Sequence, residues 1–426
     1  MDGRALGVRK YASPYSVSIS AQRLVSAVFV FSCLIPWVSF GTNNLDSQPW
    51  PLIFGLIVLA VFLGKFAASQ KIKYSAFLAS CGFFVTLFFS NYLDFLTARA
   101  FYNYFSFFVV LIVFLSILMR YGPPIRTIKI VNYLWLMAAL IELIQPDLIA
   151  MLGKARTTAG RGVTSLAPEP TFFAIYLIFS SLLLFQLRGG DYKSDKSFHI
   201  INFLSTVILA KSSMGILMLF SIVSIYLVYS LIRVKPLKSG LKWMFFLTTS
   251  IAILASLLSI YFGSTRVFSL LEKLIDVGPI LIFKLDASMN VRIEHVIFSF
   301  HGFFNNYFLP GGLDTFMDNR TEIVGYYGDF FWYGVGDNKI MSWVGDWLYS
   351  LGIFGLLALL FLFSAAHNGT RKSFWFLILT AVLLMTAVPL AFPLVPMLFA
   401  SFIYSKKLGR TLDIAYFGHA ETLKAA

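Results

Sequence analysis

The chain has 426 residues, 58% of them apolar and only 13% charged, with a formal net charge of +14. Soluble domains run near ~25% charged, so this balance excludes a soluble globular protein, a disordered chain, a coiled coil, a collagen, a disulfide-stapled secreted scaffold and a soluble nucleic-acid binder. In a membrane protein, surplus lysine and arginine marks the cytoplasmic loops, and the apolar material here is enough for about 12 spanning helices.

Arg4, Arg9, Lys10 and Arg23 precede an apolar run reaching Phe40 with no small-residue cleavage pattern after it, which predicts a retained first span and no cleavable signal. Further apolar runs lie at 50–68, 74–91, 101–119, 129–145, 169–187, 198–210, 214–232, 243–262, 343–364, 373–391 and 394–405. The runs at 198–210 and 394–405 are short, so about 11 or 12 spans are both open. The predicted fold class is all-α, a single polytopic membrane domain over 1–426 with no internal repeat. Cys33 and Cys81 both fall inside spans and predict neither a disulfide nor a metal site.

Charge orients these spans. With the N-terminus in the cytoplasm, 23 of the 34 lysines and arginines fall inside and 11 outside. Every inside loop then holds at least two positive charges, as the positive-inside rule requires, and both termini are cytoplasmic. Two outside stretches are long: 146–168, and the large loop 263–342 between the ninth and tenth spans, which forms an external cap.

The outside stretches carry the candidate chemistry. Lys154, Arg156 and Arg161 precede Pro168-Glu169-Pro170 at the start of the sixth span. Proline suits a first helical turn, the helix N-terminus offers free amide donors and a positive dipole, and guanidinium groups beside it suit phosphate. The same cations can instead face anionic lipid headgroups. Glu169 can serve as a cap, as a proton acceptor for a hydroxyl, or as a partner for an arginine. Lys211 stands in an external turn, Lys211-Ser212-Ser213-Met214-Gly215, where it either snorkels to headgroups or adds a cation to the anion site.

Within the large loop, Asn290-Val291-Arg292-Ile293-Glu294-His295 reads as a capped helix start. At ~100° per residue, Arg292, His295 and Ser299 share one flank and Glu294 and His301 the other. Arg292 and His295 can therefore face one ligand, while His301 faces elsewhere. An interfacial amphipathic helix explains the same pattern. Tyr326, Tyr327, Phe330, Phe331, Trp332, Tyr333, Trp343 and Trp347 follow; aromatic faces of this kind stack on sugar rings or line the membrane surface. Glu142 and Asp346 are the acids most embedded in apolar runs, both near external ends. Intramembrane carboxylates are functional candidates by default, but no span carries an acid near its middle, which weighs against proton-coupled transport. A phosphate-binding Gly-x-x-x-x-Gly-Lys loop, His-Glu-x-x-His and Gly-x-Ser-x-Gly are all missing, so ATP-driven transport, zinc proteolysis and serine hydrolysis lack support.

Taken in order, these stretches resemble a known family. The run Arg161-Gly162-Val163-Thr164-Ser165-Leu166-Ala167-Pro168-Glu169-Pro170 is similar to the Arg…Glu-Pro stretch of bacterial O-antigen polymerases of the Wzy type. Lys211-Ser212-Ser213-Met214-Gly215 is similar to that family's Ser-Arg/Lys-Ser-x-Gly turn, and Arg292 followed by Leu309-Pro310-Gly311-Gly312-Leu313 to its Arg…Pro-x-Gly-x-Gly stretch. The segment from Ser342 to Gly355 resembles the helix after the large periplasmic loop. The related O-antigen ligases carry a histidine at the start of that helix; the corresponding position here is near Met341, so the resemblance favours polymerase over ligase.

The resemblance implies a glycosyltransferase of the bacterial inner membrane, multi-pass, with a periplasmic active site. Its partners would be undecaprenyl-pyrophosphate-linked oligosaccharide, the lipid bilayer and a polysaccharide chain-length regulator, with no nucleic acid. The growing glycan would pass from its carrier to the non-reducing end of a new lipid-linked unit in lipopolysaccharide biosynthesis. Arg161 and Arg292 would clamp the pyrophosphate, supported by Arg156 and Lys211, and Glu169 would be the first choice of base, followed by His301 or His295. No cofactor and no metal is implied, because the pyrophosphate already activates the donor. An O-antigen ligase and a lipid-linked oligosaccharide flippase are the alternatives.

Overall fold

The structure, a computed structural model, describes residues 19–38, 48–62, 68–89, 95–150, 162–233, 278, 284, 287–313, 315–332, 340–386 and 388–407. Lys154, Arg156, Arg161, the predicted ninth span at 243–262 and the first part of the large loop lie outside them.

Among the described residues the chain is helical throughout, with no strand. In order come α1 (Ile19–Leu34), α2 (Trp50–Val61), α3 (Gln70–Phe89), α4 (Phe95–Tyr121), α5 (Ile125–Ile144), the short α6 (Pro146–Ala150), α7 (Pro170–Leu187), α8 (Lys196–Ile208) and α9 (Ser213–Arg233). Then follow α10 (Ala287–Asn305), α11 (Phe316–Tyr327), α12 (Trp343–Ala366), α13 (Arg371–Leu384) and α14 over 394–407. Proline and hydroxyl residues set many boundaries. Pro51 lies in the first turn of α2 and Pro170 opens α7, where a missing N–H costs nothing. Pro123 and Pro124 separate α4 from α5. Ser342 and Thr370 cap α12 and α13, accepting from the Gly345 and Ser373 amides at 3.0 and 3.2 Å.

Six stretches are long and apolar enough to cross a membrane: 70–88, 97–121, 125–144, 170–187, 213–230 and 343–366. The chain is therefore a helical membrane protein. The apolar helices at 21–34 and 50–61 are shorter, and the runs expected at 198–210 and 373–391 form α8 and α13, of 13 and 14 residues. α4 and α7 are the most enclosed; α3 packs along α12, α1 against α2 and α5, and α7 against α8 and α9. Phe77, Phe84, Ile130, Phe220 and Leu360 project from outer helix faces, as lipid-facing side chains do. Inside, Asn132, Ser180 and Asn202 hydrogen-bond across α5, α7 and α8, with Asn132 Nδ2 2.7 Å from Asn202 Oδ1 and Ser180 Oγ 2.9 Å from Asn132 Oδ1. Such a satisfied polar cluster registers helices that apolar contacts alone let slide.

α12 is broken at Gly352, whose φ of 58° and ψ of −138° only glycine adopts readily. The segment Phe308–Gly311 enters the break: the Ile353 amide donates to the Phe308 carbonyl at 2.7 Å, and the Gly311 amide donates to the Tyr349 carbonyl at 2.8 Å. The Ser350 carbonyl accepts from Thr86 Oγ1 of α3 at 3.0 Å. Irregular backbone at membrane depth survives only where protein satisfies it, and here the Leu309-Pro310-Gly311 stretch does so.

Several basic residues gather at one end of the helices. Lys71 Nζ donates to Ser364 Oγ at 2.5 Å, Lys406 to the Ser364 carbonyl at 3.4 Å, and Lys372 to the Gly190 carbonyl at 3.3 Å. Arg120 lies 4.0 Å above the Phe62 ring, and Lys129 and Arg188 both pair with the buried Asp195. The described candidates Glu169, Lys211 and Arg292 lie at the other end of α7 from Arg188, where α5 finishes and α7 and α9 begin.

Candidate functional site

The site is built on a turn held by Glu142. This carboxylate, in the last turn of α5, is buried and accepts the Thr164 amide at 2.9 Å, the Thr164 hydroxyl at 2.9 Å and the Ser165 amide at 2.5 Å. Ser165 adopts a φ of 55°, uncommon for a residue with a β-carbon, and its hydroxyl donates to the Trp135 carbonyl at 2.6 Å. The same segment is pinned on its other side. The Val163 amide donates to the Leu209 carbonyl at 3.0 Å, and a β-carbon on Gly162 would stand 2.0 Å from the Ala210 oxygen. Only glycine permits that backbone approach. The run that follows Arg161 in sequence is thereby fixed against the turn that contains Lys211.

Lys211 is half-buried with a φ of 45°. Ser212, beside it, accepts the Gly215 amide at 3.3 Å at the start of α9 and donates to Thr171 Oγ1 at 3.3 Å. Thr171, in the first turn of α7, also accepts from Arg292 Nη2 at 3.3 Å. Arg292 of α10 is therefore held at the start of α7, two residues along the chain from Glu169 and one hydroxyl away from the Lys211 turn. Glu169 occupies the N-cap position in extended conformation, its carbonyl accepting from the Phe172 and Phe173 amides, while its side chain makes no capping hydrogen bond. A side-chain cap does not account for this carboxylate, although the helix dipole favours its charge.

The other candidates on α10 point to different neighbours. α10 begins at Ala287, so Asn290 lies one turn inside the helix rather than capping it; its side chain donates to the Phe330 carbonyl at 2.8 Å and accepts the Trp332 amide at 3.2 Å. His295 is buried, stacked on Phe316, and its Nδ1 accepts the Met341 amide at 3.1 Å. That bond leaves the ring proton on Nε2, so neither ring nitrogen is an open proton acceptor. Arg292 and His295, expected on one flank, thus hold two different elements, α7 and the residue before the cap of α12. His301 lies 3.0 Å through Nδ1 from the Tyr327 hydroxyl and lines a cleft of about 410 Å³ with Phe300, Phe304 and Asn305.

Two buried ion pairs or carboxylates are structural. Glu294 pairs with Arg320, tying α10 to α11; burial pushes its pKa up and Arg320 only partly offsets that. Asp346 accepts from Ser350 Oγ at 2.8 Å and from the Tyr104 hydroxyl at 3.2 Å in the first turn of α12. The aromatic run divides: Trp343 and Trp347 are fully buried against Phe107, whereas Tyr326 and Trp332 are exposed. Among the described residues, no group of three or more His, Cys, Asp and Glu side chains is placed to hold a metal ion, and Cys33 and Cys81 are free thiols.

The chain matches no protein-family model and no curated protein.

Thr171 is the residue that the sequence does not reveal. It stands next to Pro170 as an ordinary first-turn hydroxyl, and its partner Arg292 is 121 positions away. Glu142 is visible as an embedded acid, but its partners follow only from where α5 ends.

Proposed function

We propose that the chain is a polysaccharide polymerase of the O-antigen type, acting at the periplasmic face of a bacterial inner membrane on undecaprenyl-pyrophosphate-linked repeat units. The observation that supports this most is the Arg292–Thr171–Ser212 contact, which joins residues in or next to three of the four stretches that carry the resemblance.

In this reading an acceptor hydroxyl attacks the anomeric carbon of the donor glycan. The C–O bond to pyrophosphate breaks, the lipid pyrophosphate leaves, and the hydroxyl proton passes to Glu169. Negative charge grows on the leaving oxygen, where fixed cations act most strongly. Arg161 and Arg292 clamp the diphosphate, with Arg156 and Lys211 in support; guanidinium groups remain charged and bind phosphate bidentately. Glu169 is the first choice of base because the resemblance places it there and it stands at the start of α7, two residues from Thr171, where Arg292 is held, and a base must lie within reach of the proton. His295 drops behind it, since its Nδ1 is occupied, and His301 stands second.

The test is polymer formation by the purified protein from synthetic lipid-linked repeat units, with EDTA present. A glycan ladder is expected from wild type, none from Arg292→Ala or Arg161→Ala, and donor binding without extension from Glu169→Gln. Transfer of finished glycan to a lipid core, with no ladder, overturns the reading in favour of a ligase. Wild-type ladders from both arginine variants overturn the clamp.

A further inference from the structure

Counting hydrogens at the Thr171–Ser212 pair leaves one over. A hydroxyl oxygen accepts twice and donates once. Thr171 Oγ1 accepts from Arg292 Nη2 and from Ser212 Oγ, both at 3.3 Å. Ser212 Oγ accepts the Gly215 amide at 3.3 Å and donates its single hydrogen to Thr171. The hydrogen of the Thr171 hydroxyl meets no acceptor among the described residues, and this side chain is only half-buried. The donor therefore stands open beside the Arg292 guanidinium and one residue past the start of α7.

We propose that Thr171 is a phosphoryl-binding and positioning residue, holding Arg292 by its lone pair and donating its own O–H to a pyrophosphate oxygen. This rests on the anion-binding reading of the site given above. The geometry suits an oxygen anion in particular. A guanidinium and a neutral O–H side by side offer donors only, and charge-assisted bonds from such pairs are the strong ones. A cationic or apolar ligand would leave the hydroxyl hydrogen unmet. Ser212 has a different part: it fills the second lone pair of Thr171 and so turns the threonine hydrogen outward.

The test uses the full chain in nanodiscs and three probes, farnesyl pyrophosphate, farnesol and inorganic pyrophosphate, in a bilayer with or without phosphatidylglycerol. Wild type is expected to bind farnesyl pyrophosphate more tightly than farnesol, with phosphatidylglycerol competing weakly. Thr171→Val keeps the side-chain shape and should weaken farnesyl pyrophosphate between about ten- and a hundredfold without changing farnesol. Thr171→Ser, which keeps the hydroxyl, should restore binding; a role in side-chain packing alone would not separate these two variants. If the valine variant does not fold, Thr171→Ala replaces it in the same comparison. Wild-type affinity in Thr171→Val together with lost affinity in Arg292→Ala overturns the role of the hydroxyl and leaves the anion site standing. Equal binding of farnesyl pyrophosphate and farnesol by wild type overturns the anion site itself, and strong displacement by phosphatidylglycerol assigns the donor to a headgroup rather than to substrate.

Discussion

Two buried carboxylates, at opposite ends of the helices, show how single residues set local structure. Glu142 satisfies two amides and a hydroxyl in the turn before α7. Buried donors left without an acceptor cost about 1–3 kcal/mol each, so Glu142→Ala should destabilise the protein by at least ~2 kcal/mol in detergent unfolding and expose the 162–168 segment to protease. Asp195 behaves differently because its partners are cations. Burial alone would raise its pKa, but the hydrogen bonds and charges of Lys129 and Arg188 outweigh burial and hold it below the ordinary 3.8. A lowered pKa means stability that is present above the unfolded value and is lost as pH falls through the folded one. Asp195→Asn should therefore lower the unfolding free energy at pH 7 by about 1–3 kcal/mol since both cations are partly solvated, and the difference from wild type should shrink below about pH 3.8.

At the level of elements, the break in α12 is the feature that fixes the segment after α10, part of the cap predicted from sequence. A continuous helix through Gly352 would close its own hydrogen bonds and leave the Phe308 carbonyl and Gly311 amide without partners. With the break, Phe308–Gly311 docks on α12 and sets the end of α10, which carries Arg292 at its other end. A β-carbon at Gly352 would stand 2.5 Å from the Leu309 and Pro310 backbone, in a conformation that is strained for any other residue. Gly352→Ala is expected to insert into the membrane at normal abundance and to lose polymer formation, with faster hydrogen exchange confined to 302–312 and 349–353. Unchanged exchange there would show that the cap does not rely on this contact. The break was not legible beforehand, because a lone glycine inside an apolar helical run is usually accommodated without one.

For the whole molecule, the decisive property is sidedness. α12 has 24 residues, about 36 Å at the usual rise, against a hydrocarbon core of about 30 Å. Met341, the residue before its cap, meets His295, while its last turn meets Lys71 and Lys406. The charge count predicts that these two ends face opposite sides of the membrane. Single cysteines placed in a protein lacking Cys33 and Cys81 test the orientation. Asn305→Cys should react with a membrane-impermeant maleimide from the periplasmic side only, and Asn368→Cys from the cytoplasmic side only, both positions being exposed. Labelling of both from one side would remove the topology.

Composition and apolar run length determined by themselves that this is a helical membrane protein, because the cost of burying backbone in lipid leaves few alternatives to long apolar helices. The meeting of Arg292 with Thr171, the three-fold grip of Glu142 and the docking of Phe308–Gly311 into α12 were decided by tertiary structure alone. Side-chain periodicity fixes which face a residue occupies on its own helix, but contacts between residues more than a hundred positions apart depend on helix register, on where each helix stops and on which backbone groups remain to be satisfied.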